Sequence, residues 1–150
     1  MAEANEISQA SVVPYRFGEA GIEFCLITTR KSQRWGFPKG RIHSDESPDE
    51  AALHEAREEA GLTGRIVGKP IGKYVYKKKR RKQRVTVMLM VVDGCDDEWQ
   101  ESNERQRRWA SLEEARLLLD RPNLIHLLQR AVELLRSNPP DSSDGTAISA

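Results

Sequence analysis

The run Arg84-Val-Thr-Val-Met-Leu-Met-Val-Val92 sets the terms for any fold of this chain, because apart from Arg84 and Thr86 every residue in it is apolar. Its valines favour extended backbone, and successive strand residues point to opposite faces. A strand that is apolar on both sides belongs in the middle of a sheet. Neighbours for it are legible upstream. Residues 11–17 carry Val12, Val13, Tyr15 and Phe17, and residues 22–29 carry Ile22, Phe24, Leu26 and Ile27, with Gly18 to Gly21 as the turn of a hairpin between them. A further strand is expected over 65–76, with the basic run that follows it as the connection to 84–92.

Helices are marked by their ends. Ser47 offers a cap, Pro48 suits the first helical position, Glu50 completes a capping box, and Gly61 supplies the stop. One side of this helix, Pro48 to Ala60, offers Ala52, Leu53, Ala56 and Ala60, small enough to lie close against a sheet. Ser111-Leu-Glu-Glu114 repeats the capping-box pattern before a short helix. A final helix is expected over Asn123 to Arg136, where Leu124, Leu127, Leu128, Ala131, Leu134 and Leu135 recur at three and four. From Ser137 the composition turns to Ser, Pro, Asp and Gly, which predicts a disordered tail over 137–150. Residues 1–10 are expected to form a flexible N-terminus, leaving one domain over 11–136.

The net charge of +1 conceals segregation: residues 77 to 84 read Lys-Lys-Lys-Arg-Arg-Lys-Gln-Arg, whereas Asp93 to Glu104 include Asp93, Asp96, Asp97, Glu98, Glu101 and Glu104. Two cysteines, Cys25 and Cys95, sit beside or within apolar runs, which points to core-filling thiols and away from a disulfide framework or a cysteine metal site. No stretch has the length of a signal peptide core or a membrane span, so a cytoplasmic protein with no membrane partner is expected.

The chemistry concentrates on the helix from Pro48. Glu55, Glu58 and Glu59 stand at i, i+3 and i+4, so three mutually repelling carboxylates share one face. A solvated helix more often interleaves lysines there. Such hard oxygen ligands suit Mg²⁺ or Mn²⁺, which fill their remaining positions with water and with phosphate oxygens of a substrate. Spacing alone leaves a second reading open, that of an exposed glutamate-rich helix.

Gly40, then Glu46 after five residues, then His54-Glu55-Ala56-Arg57-Glu58-Glu59-Ala60-Gly61-Leu62 after seven more, resembles the 23-residue box of the Nudix hydrolases. One position departs from that pattern: His54 stands where the family usually has arginine. The resemblance implies an α/β/α sandwich with a mixed central sheet over roughly residues 10–136. It implies Glu55 and Glu59 as metal ligands, Glu58 as a further ligand or the base, Glu46 as a supporting carboxylate, and a backbone carbonyl near Lys39 or Gly40 in the metal shell. His54 and Glu58 are four apart and can touch, but an imidazole offers one donor where a guanidinium offers a charged fork. Glu101 or Glu104 is the alternative base.

The implied reaction is metal-dependent attack of water on a diphosphate linkage, with a small-molecule polyphosphate as partner. Arg34, Lys39 and Arg41, with Arg30 and Lys31, fall near the box, while Lys78, Arg81 and Arg84 belong to the basic run; these cations suit a polyanion, though the run serves equally as a solvated hairpin tip. The chain resembles the diphosphoinositol polyphosphate and diadenosine polyphosphate hydrolases in its basic hairpin, the apolar strand after it, and Trp99 with Arg107-Arg108-Trp109. Pro38-Lys39-Gly40 resembles the diadenosine tetraphosphate members. Nucleoside triphosphates and ADP-ribose are the alternatives. Trp35 and Tyr76 are read either as stacking platforms for a base or as core and rim residues, and His126 as structural. A non-catalytic, basic RNA-binding domain is the competing class. Against it stands the carboxylate set, which repels a nucleic-acid backbone.

Overall fold

A computed structural model describes residues 6–137. In chain order they form β1 (Glu6–Gly18), β2 (Gly21–Thr28), β3 (Trp35–Gly36), β4 (Lys39–Arg41), α1 (Pro48–Ala60), β5 (Leu62–Lys78), β6 (Arg81–Cys95), β7 (Arg107–Ala110), α2 (Leu112–Leu118) and α3 (Pro122–Ser137). The apolar run lies in β6, between β1 and β5 in a sheet of order β3-β2-β1-β6-β5. β1 and β6 are parallel and the other pairs antiparallel, so the sheet is mixed. Along its other edge β1 changes partner: Gln9, Ala10 and Ser11 pair with β4, whereas Tyr15 to Gly18 pair with β2. This change of partner brings the Lys39-Gly40 segment beside the centre of the sheet.

Strand alternation divides the core in two. Val12, Cys25, Ile27, Met88 and Met90 point to one face, where Ala51, Ala52, Ala56 and Ala60 of α1 pack on them. Their chain neighbours Val13, Phe24, Leu26, Val87 and Leu89 point to the other, under Leu124, Leu127, Leu128 and Leu135 of α3. The result is an α/β/α sandwich. Each fully buried large apolar side chain contributes roughly 1.5–3 kcal/mol relative to exposure. The alanines hold α1 close enough for its polar face to reach β4.

The structure moves several expected boundaries. Residues 6–10 are not part of a flexible N-terminus but the start of β1, because Ile7 and Ala10 are buried and Glu6 to Ala10 run beside Lys82 to Thr86. The basic run is not a connection between strands; nearly all of it lies in β5 and β6, and the turn is Lys79-Arg80 alone, both at positive φ (52° and 66°) as a tight two-residue hairpin requires. β3, β4 and β7, at two to four residues, are too short to carry a period. α3 extends through Ser137, and the expected tail from 138 onward lies outside the described residues. Cys25 is buried as expected, and burial pushes its thiol up to about 12, whereas Cys95 ends β6 exposed.

Candidate metal centre

The capping box on α1 is formed in both directions, with Ser47 accepting from the Glu50 N–H and Glu50 from the Ser47 N–H. At the other end Gly61 adopts the left-handed conformation (φ 69°). The last carbonyls of the helix are then satisfied by the loop that leads to β7. The Glu101 N–H donates to the Glu58 carbonyl (3.1 Å), Trp99 Nε1 to that of Glu59 (2.8 Å), Arg107 Nη1 to that of Ala60 (2.7 Å), and the Asp96 N–H to that of Gly61 (2.9 Å). A helix end leaves such groups without partners inside the helix. This loop therefore fixes the height and rotation of the glutamate-bearing turn.

Glu55 and Glu59 come together at the edge of β4. A side chain on Gly40 would collide with the Glu55 carboxylate, so glycine is what admits the acid there. Glu59 accepts from the Lys39 N–H (3.2 Å) and lies 3.6 Å from Arg105. It is only 7% exposed, and that burial pushes its carboxyl up to about 8, against the pull of Arg105. Glu55 is raised as well, chiefly by burial. Interaction between the two carboxyls adds to the rise of Glu59 and offsets part of that of Glu55.

Glu58 contacts His54 one turn back. Among the described residues no three His, Cys, Asp or Glu side chains are grouped so as to hold a metal between them. The fit to a metal is instead that of two hard carboxylates one helical turn apart, both placed beside the Lys39–Gly40 backbone. They suit an ion that takes its other ligands from water and phosphate. Glu46 accepts from the His43 N–H (3.0 Å) and closes the turn before α1.

Sequence reasoning passed over Arg105. Its guanidinium bridges Glu101 (2.6 Å) and Glu59 and donates to the Thr28 carbonyl (3.0 Å), which places a fixed cation and Glu101 in the site. Its spacing from Glu101, four residues within a loop, carried no periodic signal. Glu104 pairs with Arg30.

The predicted substrate cations divide by strand register. Cross-strand partners share a face, so Lys39 opposite Ser11, Arg41 opposite Gln9, and the pair Lys78–Arg81 lie on the face of Tyr76 and Gln83. Lys39 Nζ lies 5.1 Å from the Tyr76 ring centre. Arg84 points to the opposite face and pairs with Glu6, and Arg34 is held by Asp120. Tyr76 accepts from Gln9 and stacks on Tyr74, while Trp35 is half-buried against the α3 core.

Residues 7–131 match the NUDIX domain, and a mixed sheet between helix layers with the box glutamates on α1 is what that match leads one to find; the chain belongs to the Nudix family. Nudix hydrolase 4 of Arabidopsis thaliana is 40% identical over 114 residues, covering 69% of this chain and 55% of that protein. Diphosphoinositol polyphosphate phosphohydrolase 3-alpha of Mus musculus is 32% identical over 101 residues, covering 66% and 60%. Among solved structures, a binary complex of the C. elegans Ap4A hydrolase superposes with a TM-score of 0.76 at 28% identity, covering 87% of this chain and 98% of that one. The chain spans about half to two thirds of the length of the curated relatives it matches. Nudix hydrolases generally use divalent metals. No described helix is long and apolar enough to cross a membrane.

Proposed function

We propose that this chain is a divalent-metal-dependent pyrophosphohydrolase that cleaves a diphosphate linkage in a diphosphoinositol polyphosphate or diadenosine polyphosphate. The observation that carries the reading is the pair Glu55 and Glu59 on one face of α1, Glu55 lodged against Gly40 and the buried Glu59 held by the Lys39 N–H and beside Arg105. Mg²⁺ is the ion proposed, with Mn²⁺ as substitute, and Glu55 and Glu59 are the residues that hold it, joined by Glu58 when it swings from His54. The ion, when bound, supplies charge neutralisation for the phosphate oxygens and activation of water. Lys39, Arg105, Arg41, Lys78 and Arg81 bind and orient the phosphates. Glu58 is the proposed base, and His54 holds it in place until the site is filled. Glu101 is the alternative base, because it reaches the site through Arg105.

Names among the relatives support this substrate class: diphosphoinositol polyphosphate phosphohydrolases in mouse and an Ap4A hydrolase in C. elegans. A reducing, cytoplasmic setting accords with two unpaired cysteines. The carboxylate set on α1, which repels a nucleic-acid backbone, disfavours the RNA-binding reading. The test is product chromatography with purified protein and Mg²⁺ over diphosphoinositol polyphosphates, diadenosine polyphosphates, ADP-ribose and nucleoside triphosphates. Turnover of one of the first two classes above the others is expected. Equal, trace hydrolysis of all four overturns the assignment.

A further inference from the structure

Part of the β5–β6 hairpin faces away from the cations assigned to substrate. Register sets Lys73 opposite Thr86, Val75 opposite Arg84 and Lys77 opposite Lys82, so these side chains share the face opposite Tyr76 and Gln83. Lys73, Val75, Lys77 and Lys82 are exposed there, and Val75 is a large apolar side chain left 46% in solvent. Arg84 is paired with Glu6. Among the described residues neither Lys73 nor Lys77 forms an ion pair, so this strip of β5 carries uncompensated positive charge around one apolar residue.

The backbone of the same strip is open. β5 is the last strand of the sheet. Lys79-Arg80 is a two-residue turn, so Lys78 and Arg81 form a hydrogen-bonded pair, and the alternation of an antiparallel ladder makes Tyr76–Gln83 and Tyr74–Val85 the next ones. Lys73, Val75 and Lys77 therefore turn their N–H and C=O groups outward. Further back the edge is closed: Pro70 has no N–H, the register slips between Val67 and Gly72, and the Ile71 carbonyl accepts from Arg130 Nε (2.9 Å). From Lys73 to Lys77 no strand among the described residues pairs with it. That stretch has the length of an ordinary strand, about five residues.

We propose that the Lys73–Lys77 edge of β5 docks an acidic, extended segment of a partner protein, which adds to the sheet as one more strand. Outward N–H and C=O groups supply the ladder, and side chains facing Lys73, Val75 and Lys77 set the specificity. Because strand side chains alternate, the segment reads acidic, any, apolar, any, acidic. A second copy of this chain does not fit. Antiparallel pairing of two β5 edges about Val75 sets Lys73 of each against Lys77 of the other, and like charges directly opposite repel. The lysines that keep copies of the chain apart are thus the ones that select an acidic strand. This surface is independent of the hydrolase reading.

The test titrates the ¹⁵N-labelled full chain with an end-capped peptide, Thr-Glu-Thr-Val-Thr-Glu-Thr, and with an isomer of the same composition whose glutamates are adjacent. With the alternating peptide, exchange of the Lys73, Val75 and Lys77 amides is expected to slow about tenfold or more as they enter a ladder, while Tyr74 and Tyr76, already bonded to β6, change little. The double variant Lys73→Glu, Lys77→Glu should bind this peptide about tenfold more weakly, because opposite charges across the pairing become like ones, and should bind the peptide with lysine in place of glutamate instead. Val75→Pro removes the central outward N–H without taking a bond from β6, a change an edge strand tolerates, and should weaken both peptides. Absence of binding, or unchanged affinity in the charge-reversed variant, overturns the proposal. Equal binding of the isomer or of an oligouridylate reduces the edge to a diffuse cationic field and overturns it as well. So does a dimer in sedimentation with these three amides protected before peptide is added, since a second copy would then hold the edge.

Discussion

Glu59→Gln should make the metal-free protein more stable at pH 8 while removing its activity. Spacing on α1 places this carboxylate on the helix's polar face, yet in the fold it is 7% exposed, between Lys39 and Arg105. Burial raises its carboxyl from 4.5 to about 8. Over that window the folded chain keeps a proton that the unfolded chain has released, so stability falls as pH rises from about 4.5 to about 8. The interval of 3.5 (8 − 4.5), at 1.36 kcal/mol for each, puts a ceiling of about 5 kcal/mol on the loss. Replacing Glu59 also deprives Arg105 of a contact at 3.6 Å, though Glu101 at 2.6 Å keeps it paired. A net gain of about 1–2 kcal/mol then corresponds to a melt about 3–6 °C above wild type at pH 8, for a chain of this size. The assay is calorimetry in chelator at pH 5, 6.5 and 8, repeated with Mg²⁺. The two proteins should melt together at pH 5 and diverge by pH 8, where Mg²⁺ raises wild type only. A variant that melts below wild type at every pH refutes the reasoning, since Glu59 would then be a structural partner of Arg105.

Three further outcomes follow from named contacts. Gly40→Ala puts a methyl group on the flexible end of Glu55, so the fold should persist while kcat falls about a hundredfold, the scale of an ångström's misplacement; unchanged kcat with a normal melt would contradict the role given to Gly40. Serine at Lys78 and Arg81 should raise KM for a long polyanion, and serine at Lys77 and Lys82, on the face opposite Tyr76, should not; salt should narrow the difference, because exposed charges are screened over about 8 Å, and equal effects from the two pairs would mean the hairpin acts only as a diffuse field. His54→Arg should keep the contact with Glu58 and hold activity at or above wild type, whereas a tenfold loss would show that the imidazole itself is required.

Sequence reading reached the fold where the chain is periodic or capped, and failed where it is neither. The β6 run, the leucines of α3 and the two capping boxes were legible because burial and helix ends impose patterns on neighbouring residues. β3, β4 and β7 were not, since two to four residues cannot show a period. The basic run was misread as a loop because lysine and arginine disfavour a buried strand, whereas this hairpin projects with most of those side chains in solvent. Helical spacing alone put Glu55, Glu58 and Glu59 on one face of α1, but the contact of Glu58 with His54 and that of Glu55 with Gly40 depend on rotamers and on the tertiary fold. Arg105 escaped because its partners lie on a loop, on β2 and on α1, a juxtaposition made only by the tertiary fold.

The central claim, that Glu55 and Glu59 hold a catalytic divalent ion, is tested most directly by an initial-rate titration with Mg²⁺. Wild type, Glu55→Gln and Glu59→Gln are compared on diadenosine tetraphosphate and a diphosphoinositol polyphosphate, with products resolved by chromatography. The account predicts no turnover in chelator, saturable activation of wild type by Mg²⁺, and at least a hundredfold loss in either variant that added Mg²⁺ does not restore, about the scale reported for losing one preorganised charge-stabilising group. Full activity of wild type in chelator, or of either variant at saturating Mg²⁺, would contradict it.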